Sequence, residues 1–445
     1  MNIALVGYAV ENQAAYRYFA VQGADITICD LNTEVELPEG VKSKLGEGYL
    51  DNLKEFDLIV RTVGMHPDLI MEQNPTVIRN ITTAVNVFFE KCQVPIIGVT
   101  GTKGKGTTST LIHKILEAAG KKVVLAGNIG KPMLDVLQEA NDSDFAVLEL
   151  SSFQLYDLKS APHVAVCLMV VPEHLNWHND FDDYKRSKAN LFRYQNSKDV
   201  AVYNILNQAS TEIAAASPTS TKLTYAVPSA GEDVPPFYTA RIVEDSIYCR
   251  DAEIMNINEV KLLGRHNLEN VCAAVAATWD LIDGNVEAIH SVVSSFSGLE
   301  FRLEFIRELN GVRYYNDSFS TTPETAIAAL RAFEESKIVI LGGSDKGIPF
   351  DELAESVTQT NVKHVLVLGE TGPVIANLLR QRGFTAITHE GLETMDAAVN
   401  KAQELASQND VVLLSTGCAS FGMFKDYKDR GKQFNQAVAA LPEAA

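Results

Sequence analysis

An apolar run, Ile96-Ile97-Gly98-Val99-Thr100, breaks into Gly101-Thr102-Lys103-Gly104-Lys105-Gly106-Thr107-Thr108, and a helix-periodic stretch through Ala119 follows at once. Strand, glycine-rich turn and helix in that order commit the segment to an α/β unit. The same geometry aims backbone N–H groups and the positive end of a helix at a phosphate. Lys105 can supply a mobile positive charge, and Thr107 or Thr108 a hydroxyl for Mg²⁺. The string departs from the strict phosphate-loop pattern: Val99 holds the place of the first glycine, and Gly106 follows the lysine. An ordinary β–α turn is the bland alternative, but glycines, lysines and threonines crowded into one turn favour the phosphate.

On either side of this turn the chain alternates strand and helix. Residues 1–92 read as Ile3–Val6 strand, Ala14–Gln22 helix, Asp25–Cys29 strand ending in Asp30, and Leu58–Val60 strand leading to Thr62 and Gly64. This is a Rossmann-like order with a poor fingerprint, because only Gly7 of the glycine pattern is present. Residues 93–298 continue with strands at Lys122–Ala126, Phe145–Leu148 and Val164–Val171. Glu149 closes the second of these, where a Mg²⁺ ligand beside a phosphate loop belongs, although a solvated strand-end acid is the plain alternative. His174 lies one loop past the third strand, on the same edge. Lys185 and Lys188, one turn apart, read by themselves as a solvated basic face. Residues 205–260 look like a polar, strand-rich excursion. An Ala-rich helix (Val271–Leu281) follows, with Asn267 and Asn270 on one side of its first turn. Residues 299–445 hold four strands, Arg313–Tyr315, Lys337–Leu341, His364–Leu368 and Val411–Leu414, each ending in a Gly, Ser or Asp turn. They predict a second doubly wound sheet, with Thr322 and Pro323 starting a helix. The expected fold is therefore α/β in three domains, 1–92, 93–298 and 299–445: a Rossmann-like domain, a central mostly parallel phosphate-loop sheet, and a C-terminal Rossmann-like domain.

A formal charge of −19 argues against nucleic acid or an anionic membrane as the main partner. The six cysteines are scattered without paired spacing, which reads as a reduced, cytoplasmic protein with neither disulfide frame nor zinc site. No stretch has the length of an apolar membrane span, and no signal peptide is visible.

Six motifs in order, Thr100-Gly101-Thr102-Lys103-Gly104-Lys105, Gly127-Asn128-Ile129-Gly130, Leu148-Glu149-Leu150-Ser151-Ser152-Phe153-Gln154-Leu155, Gly264-Arg265-His266-Asn267, Asn316-Asp317-Ser318 and Cys418-Ala419-Ser420, resemble the Mur ligases across nearly the whole chain. That family shares its central fold with folylpolyglutamate synthase. The Gly-Asn-Ile-Gly and Leu-Glu-Leu-Ser-Ser-Phe-Gln-Leu strings point to its D-glutamate-adding members. The resemblance implies an ATP-dependent carboxylate–amine ligase of peptidoglycan precursor synthesis. It would act as a monomer on small molecules: ATP, UDP-muramoyl-alanine and glutamate. It further implies that Gly101, Thr102, Lys103, Gly104, Lys105, Gly106, Thr107 and Thr108 hold phosphates, and that Asn267, Asn270, Arg302 and Asp317 hold adenine and ribose. Thr107, Glu149, His174 and Lys188 would serve Mg²⁺, Lys188 as a carbamate. Val10, Glu11, Asp30, Thr62 and Gly64 would contact the UDP end, and Asn128 and Ser151 the reactive end. Lys346, Thr321, Ser420 and Tyr427 would take glutamate, with domain closure before chemistry. Phe319 stands where the D-glutamate pattern has lysine, and Phe301 where a histidine often precedes Arg302. The alternatives are the same reaction with L-glutamate, a folylpolyglutamate synthase-like ligase, a nicotinamide enzyme using Gly7, and a non-catalytic nucleotide-binding module.

Overall fold

The computed structural model describes residues 1–228, 235, 238–262, 264–345, 347–388 and 392–442. Its strands form three sheets. The first contains β1 (Asn2–Val6), β2 (Asp25–Asp30), β3 (Lys42–Leu45), β4 (Leu58–Arg61) and β5 (Ile81–Thr82) in the order β3-β2-β1-β4-β5, with every pair parallel. Strand order reverses between β1 and β4, so the crevice beyond their C-terminal ends is the place for a ligand. Gly7 leaves β1 with φ 76°, and a Cβ there would run into the Thr62 side chain at the end of β4. The helix Val10–Val21 starts four residues before the expected Ala14. Asn12 accounts for this and for the missing glycines. Its fully buried amide donates to the carbonyls of Val6, Gly7 and Val60, tying both strand ends to the first helical turn.

The second sheet runs β14-β13-β12-β11-β10-β9-β6-β8-β7. Its strands are β6 (Ile96–Thr100), β7 (Val123–Gly127), β8 (Phe145–Glu149), β9 (Val164–Cys167), β10 (Val200–Asn204), β11 (Thr221–Ala226), β12 (Ala240–Val243), β13 (Ser246–Cys249) and β14 (Ala252–Asn256). Only the β12/β13 and β13/β14 pairs are antiparallel. β6 is buried along its whole length between β8 and β9, as its unbroken apolar run requires. The segment 205–260, expected as a polar, strand-rich excursion, does carry strands, β11–β14, and they extend this sheet. β9 stops at Cys167, short of the expected Val171. Beyond it the chain follows the glycine-rich loop: Leu168 N–H donates to Thr100 O, and Thr102 N–H to Met169 O. The Ala-rich helix spans Arg265–Thr278 and continues as a 3₁₀ turn, Trp279–Ile282; its small buried residues let it pack on the helix Lys105–Ala118. A shared apolar cluster containing Phe88, Met133, Leu134 and Leu148 joins the first two sheets, and Met1–Phe296 forms one compact unit.

The third sheet lies in the second unit, Ser297–Ala445. The four expected strands are β16 (Val312–Asn316), β17 (Lys337–Gly342), β18 (Val362–Leu368) and β20 (Val411–Leu414). β15 (Glu304–Leu309) and β19 (Ile387–Thr388) were not foreseen. The order is β15-β16-β20-β17-β18-β19, antiparallel only at β15/β16, a hairpin through Asn310 and Gly311. Thr322 precedes the helix Pro323–Arg331 as expected. Among the described residues no helix is long and apolar enough to cross a membrane.

Candidate active site

The glycine-rich turn after β6 is built around Gly104, the N-cap of the helix Lys105–Ala118. It has φ 86°, and no side chain caps the helix there. A Cβ on Gly104 would overlap Asn270 Oδ1. The helix N-terminus is thus left to face a ligand, with a backbone only glycine adopts readily. Lys105 Nζ donates to Gly101 O (3.1 Å) and Thr102 O (2.9 Å). Thr102 shapes the loop from inside: its hydroxyl donates to Val171 O (3.0 Å) and lies 3.1 Å from the Tyr184 hydroxyl. Lys103 is exposed and pairs with Glu173 at 2.6 Å. Gly106 is buried. Thr108 Oγ1 donates to Asn270 Oδ1 (3.3 Å), and Asn270 Nδ2 donates to Asn267 Oδ1 (2.8 Å). Both asparagines therefore lie on the phosphate-loop side of their helix. Thr108 is fully buried, whereas Thr107 is half-buried.

Glu149 ends β8, beside β6 and only 6% exposed. Asn128 brackets it, the backbone N–H donating to Glu149 O and Nδ2 to Oε1, each at 2.9 Å. Gly127 permits this approach, since a Cβ there would overlap the Glu149 carbonyl. Ser151 then caps the short helix Ser152–Leu155 in a reciprocal box with Gln154.

Lys188 is the residue whose surroundings the sequence did not reveal. It is 1% exposed, with Nζ donating to Gly101 O (2.9 Å) and Thr100 Oγ1 (3.4 Å) and lying 4.5 Å from the Tyr184 ring centroid. Burial, with the nearby Lys105 charge, pulls its pKa down to about 7. Gly101 O accepts from both lysines, which fixes them on the same turn of chain. His174, at φ 58° and partly exposed, has its basicity lowered by burial and by the Lys105, Lys188 and Lys103 charges, against the opposing pull of Glu173. A neutral imidazole is the form that binds metal. The sequence signal for Lys188 lies in helical phase. On Phe181–Arg193 the buried face carries Tyr184, Ser187, Lys188 and Leu191, so Lys188 falls on the inward stripe.

On the first sheet, Val10 is exposed at the start of its helix, and the Asp30 carboxylate accepts from Tyr8 N–H (2.6 Å) and Asn32 N–H (2.8 Å). Glu11 turns toward the central sheet and accepts from Gln154 Nε2 at 2.6 Å, and burial raises its pKa. Gly64 O accepts from Trp177 Nε1 at 2.9 Å, which ties the His174 loop to the crevice of the first sheet.

The second unit carries the remaining candidates. Asp317 is buried, accepting from Ser415 Oγ (2.7 Å) and Leu303 N–H (3.1 Å), and burial pushes its pKa up to about 7. Arg302 lies over the Phe319 ring (5.8 Å to the centroid), and Tyr427 meets the same ring edge-on at 5.3 Å. Phe319 is 48% exposed, whereas Phe301 is buried, with its ring against Gly431. Thr321 lines a small cavity with Ser344, Gly417 and Cys418, and Ser420 is buried nearby in sequence. Lys346 lies outside the described residues.

A phosphate-shaped loop between strand and helix, with two lysines on one carbonyl and a bracketed strand-end glutamate, defines a nucleotide-dependent α/β enzyme. Comparison with known proteins narrows the class. The models for the Mur ligase middle domain and the Mur ligase glutamate ligase domain match residues 99–278 and 301–418. The chain belongs to the Mur ligase family. It is 37% identical to the UDP-N-acetylmuramoylalanine–D-glutamate ligase of Acetivibrio thermocellus, over 99% of this chain and 96% of that protein. It is 38% identical to the enzyme of the same name from Symbiobacterium thermophilum, over 98% of both chains. Among solved structures, UDP-N-acetylmuramate–alanine ligase MurC from Thermotoga maritima shares the fold with a TM-score of 0.59 at 18% identity, over 99% of each chain. MurF ligase from the same organism, in complex with ADP, gives 0.55 at 17% identity, over 98% of this chain and 95% of that one.

Proposed function

We propose that this chain is the ATP-dependent ligase that joins D-glutamate to UDP-N-acetylmuramoyl-L-alanine in peptidoglycan precursor synthesis. The observation that carries the reading is Lys188, buried on the carbonyl that also holds Lys105, in a chain similar over nearly its full length to enzymes of that name. The substrate carboxylate attacks the γ-phosphorus of ATP, and the bond to the β-phosphate oxygen breaks to release ADP. The glutamate amine attacks the resulting acyl phosphate, loses a proton, and expels phosphate as the amide forms. Two anions must meet in the first step, so positive charge at the phosphates decides the rate. Lys105 and the amides of Gly101–Thr108 supply it, and the uncapped helix end adds its dipole.

Among the described residues no three His, Cys, Asp or Glu side chains gather as a metal group. A Mg²⁺ site here needs the Thr107 hydroxyl beside Glu149 for one ion, and for a second a lysine turned into an acid beside Glu149 and His174. Lys188 suits that conversion. A neutral amine adds to CO₂ and loses a proton to give a carbamate, and a pKa of about 7 leaves much of the amine neutral at physiological pH. Bound Mg²⁺ would neutralise the phosphate charge. Asn267 and Asn270, with Arg302 and Asp317, are assigned to the nucleoside; Val10, Glu11, Asp30, Thr62 and Gly64 to the UDP end; Asn128 and Ser151 to the reactive end; Lys346, Thr321, Ser420 and Tyr427 to glutamate. We assign 1–92, 93–298 and 299–445 to the UDP-sugar, ATP and amino-acid domains of a cytoplasmic monomer. Phe319 favours one second reading, L-glutamate as the incoming amine, because it stands where the D-glutamate pattern has lysine. Incubation with ATP, Mg²⁺, UDP-N-acetylmuramoyl-L-alanine and each glutamate enantiomer, followed by mass analysis, tests the assignment. Product with D-glutamate is expected; product with L-glutamate alone would replace this reading by the second.

A further inference from the structure

Outside the assigned groups, one buried histidine lies in the loop of His174 and touches both the helix that follows Glu149 and the helix that carries Lys188. His178 is 1% exposed. Its Nε2 lies 3.0 Å from Ser152 Oγ, in the helix that begins three residues after Glu149. Its Nδ1 lies 3.5 Å from Asp183 Oδ2, on the helix that presents Lys188 little more than a turn later. Its backbone N–H donates to His174 O at 3.0 Å. The contact with Asp183 is electrostatic and makes no hydrogen bond, so the hydrogen bond of the ring is the one with Ser152. Phe153 stacks on the ring at 5.8 Å and 6°, and Trp177 and Tyr184 meet it edge-on at 4.7 and 5.2 Å. Asp183 is itself held: Oδ2 accepts from Asn179 N–H (3.2 Å), and Oδ1 from Arg186 Nη2 (3.2 Å). A histidine kept only for packing has no need of one polar partner on each of two elements that carry the assigned ligands.

We propose that His178 is a positioning residue for the metal–nucleotide site, fixing Glu149, His174 and Lys188 in mutual register through Ser152, its own loop and Asp183. The proposal rests on the reading of those three residues as Mg²⁺ ligands. Partners of this kind, which orient ligands without touching the ion, typically cost about 10- to 100-fold in metal affinity when removed. The test uses Ser152→Ala, which deletes one hydroxyl at the first turn of a helix whose cap is Ser151, and His178→Gln, which can keep a bond to Ser152. Binding of ADP is followed by calorimetry across a Mg²⁺ titration, together with thermal unfolding and UDP-N-acetylmuramoyl-L-alanine affinity. The Mg²⁺ requirement should rise about 10- to 100-fold in Ser152→Ala, beyond what its loss of melting temperature accounts for, with unchanged UDP-substrate affinity. His178→Gln should add little in the Ser152→Ala background, as members of one network do. Wild-type Mg²⁺ dependence in both variants, or losses that merely follow melting temperature, would overturn the proposal alone. Mg²⁺-independent ADP binding by the unmodified protein would overturn the ligand assignment, and this proposal with it.

Discussion

Lys185 and Lys188 sit one turn apart on the same helix and meet opposite surroundings. Lys185 stays at the surface with Asp182 and Glu212, at 3.0 and 2.6 Å, pairs of the kind that contribute little. Lys188 is sealed against Gly101 and Tyr184, where a charge is costly to bury. Composition and spacing treat the two alike; only the phase set by Tyr184 and Leu191 separates them, and that phase acquires meaning once the helix has a floor to pack on. The lowered Lys188 pKa fixes a pH dependence. Between about 7 and 10.5 the unfolded chain binds a proton that the native amine does not, so this group makes stability rise with pH over that window. Below about pH 7 its full cost remains. Lys188→Met should therefore melt higher than the parent near pH 6 while losing ligase activity. In the parent, activity should fall as pH drops below about 7, where the amine protonates and cannot carry CO₂, and added bicarbonate should raise it just above that pH. A flat profile with no bicarbonate response would count against the carbamate. Lys105→Ala should lower ATP consumption roughly 100- to 1,000-fold, as loss of one transition-state donor does; full phosphate release by that variant would refute the phosphate-loop assignment.

At the scale of elements, the strand–turn–helix at β6 was the most legible part of the chain, because its tight turn needs glycine where φ is positive and sequence shows glycine directly. Gly104→Ala tests this. The new Cβ would meet Asn270, so ATP affinity should fall at least tenfold, while β6, buried along its length, keeps the fold intact. Nucleotide titration of a variant with a native melting curve reads the effect. The first sheet was legible as strand–turn–helix but not in its details. Asn12 does with one amide what the expected glycines would do with close packing, and no glycine pattern predicts that. β15 escaped notice because its hairpin partner β16 already accounted for the apolar signal, and β19 is two residues long. The run after Cys167 kept a strand's composition but follows the phosphate loop, a tertiary constraint that period-2 patterning does not contain.

Across the whole molecule, the alternation of strands and helices was enough to expect three mostly parallel sheets, and the described residues form three. Which substrates they serve was not readable from periodicity or charge. A net charge of −19 does not exclude an anionic ligand, because the Lys105 ammonium and the backbone amides of its turn act locally, within a few ångströms. The amino acid is harder still to read, since the second unit has an exposed Phe319 under Arg302 where a lysine would announce a carboxylate. The chemistry common to every ligase reading is transfer of a phosphoryl group to the substrate carboxylate before the amine attacks. That claim has one direct test: supply UDP-N-acetylmuramoyl-L-alanine labelled with ¹⁸O in both carboxylate oxygens, together with ATP, Mg²⁺ and D-glutamate, and weigh the inorganic phosphate. An acyl phosphate must leave one labelled oxygen in each phosphate released, whereas phosphate carrying no label would contradict it.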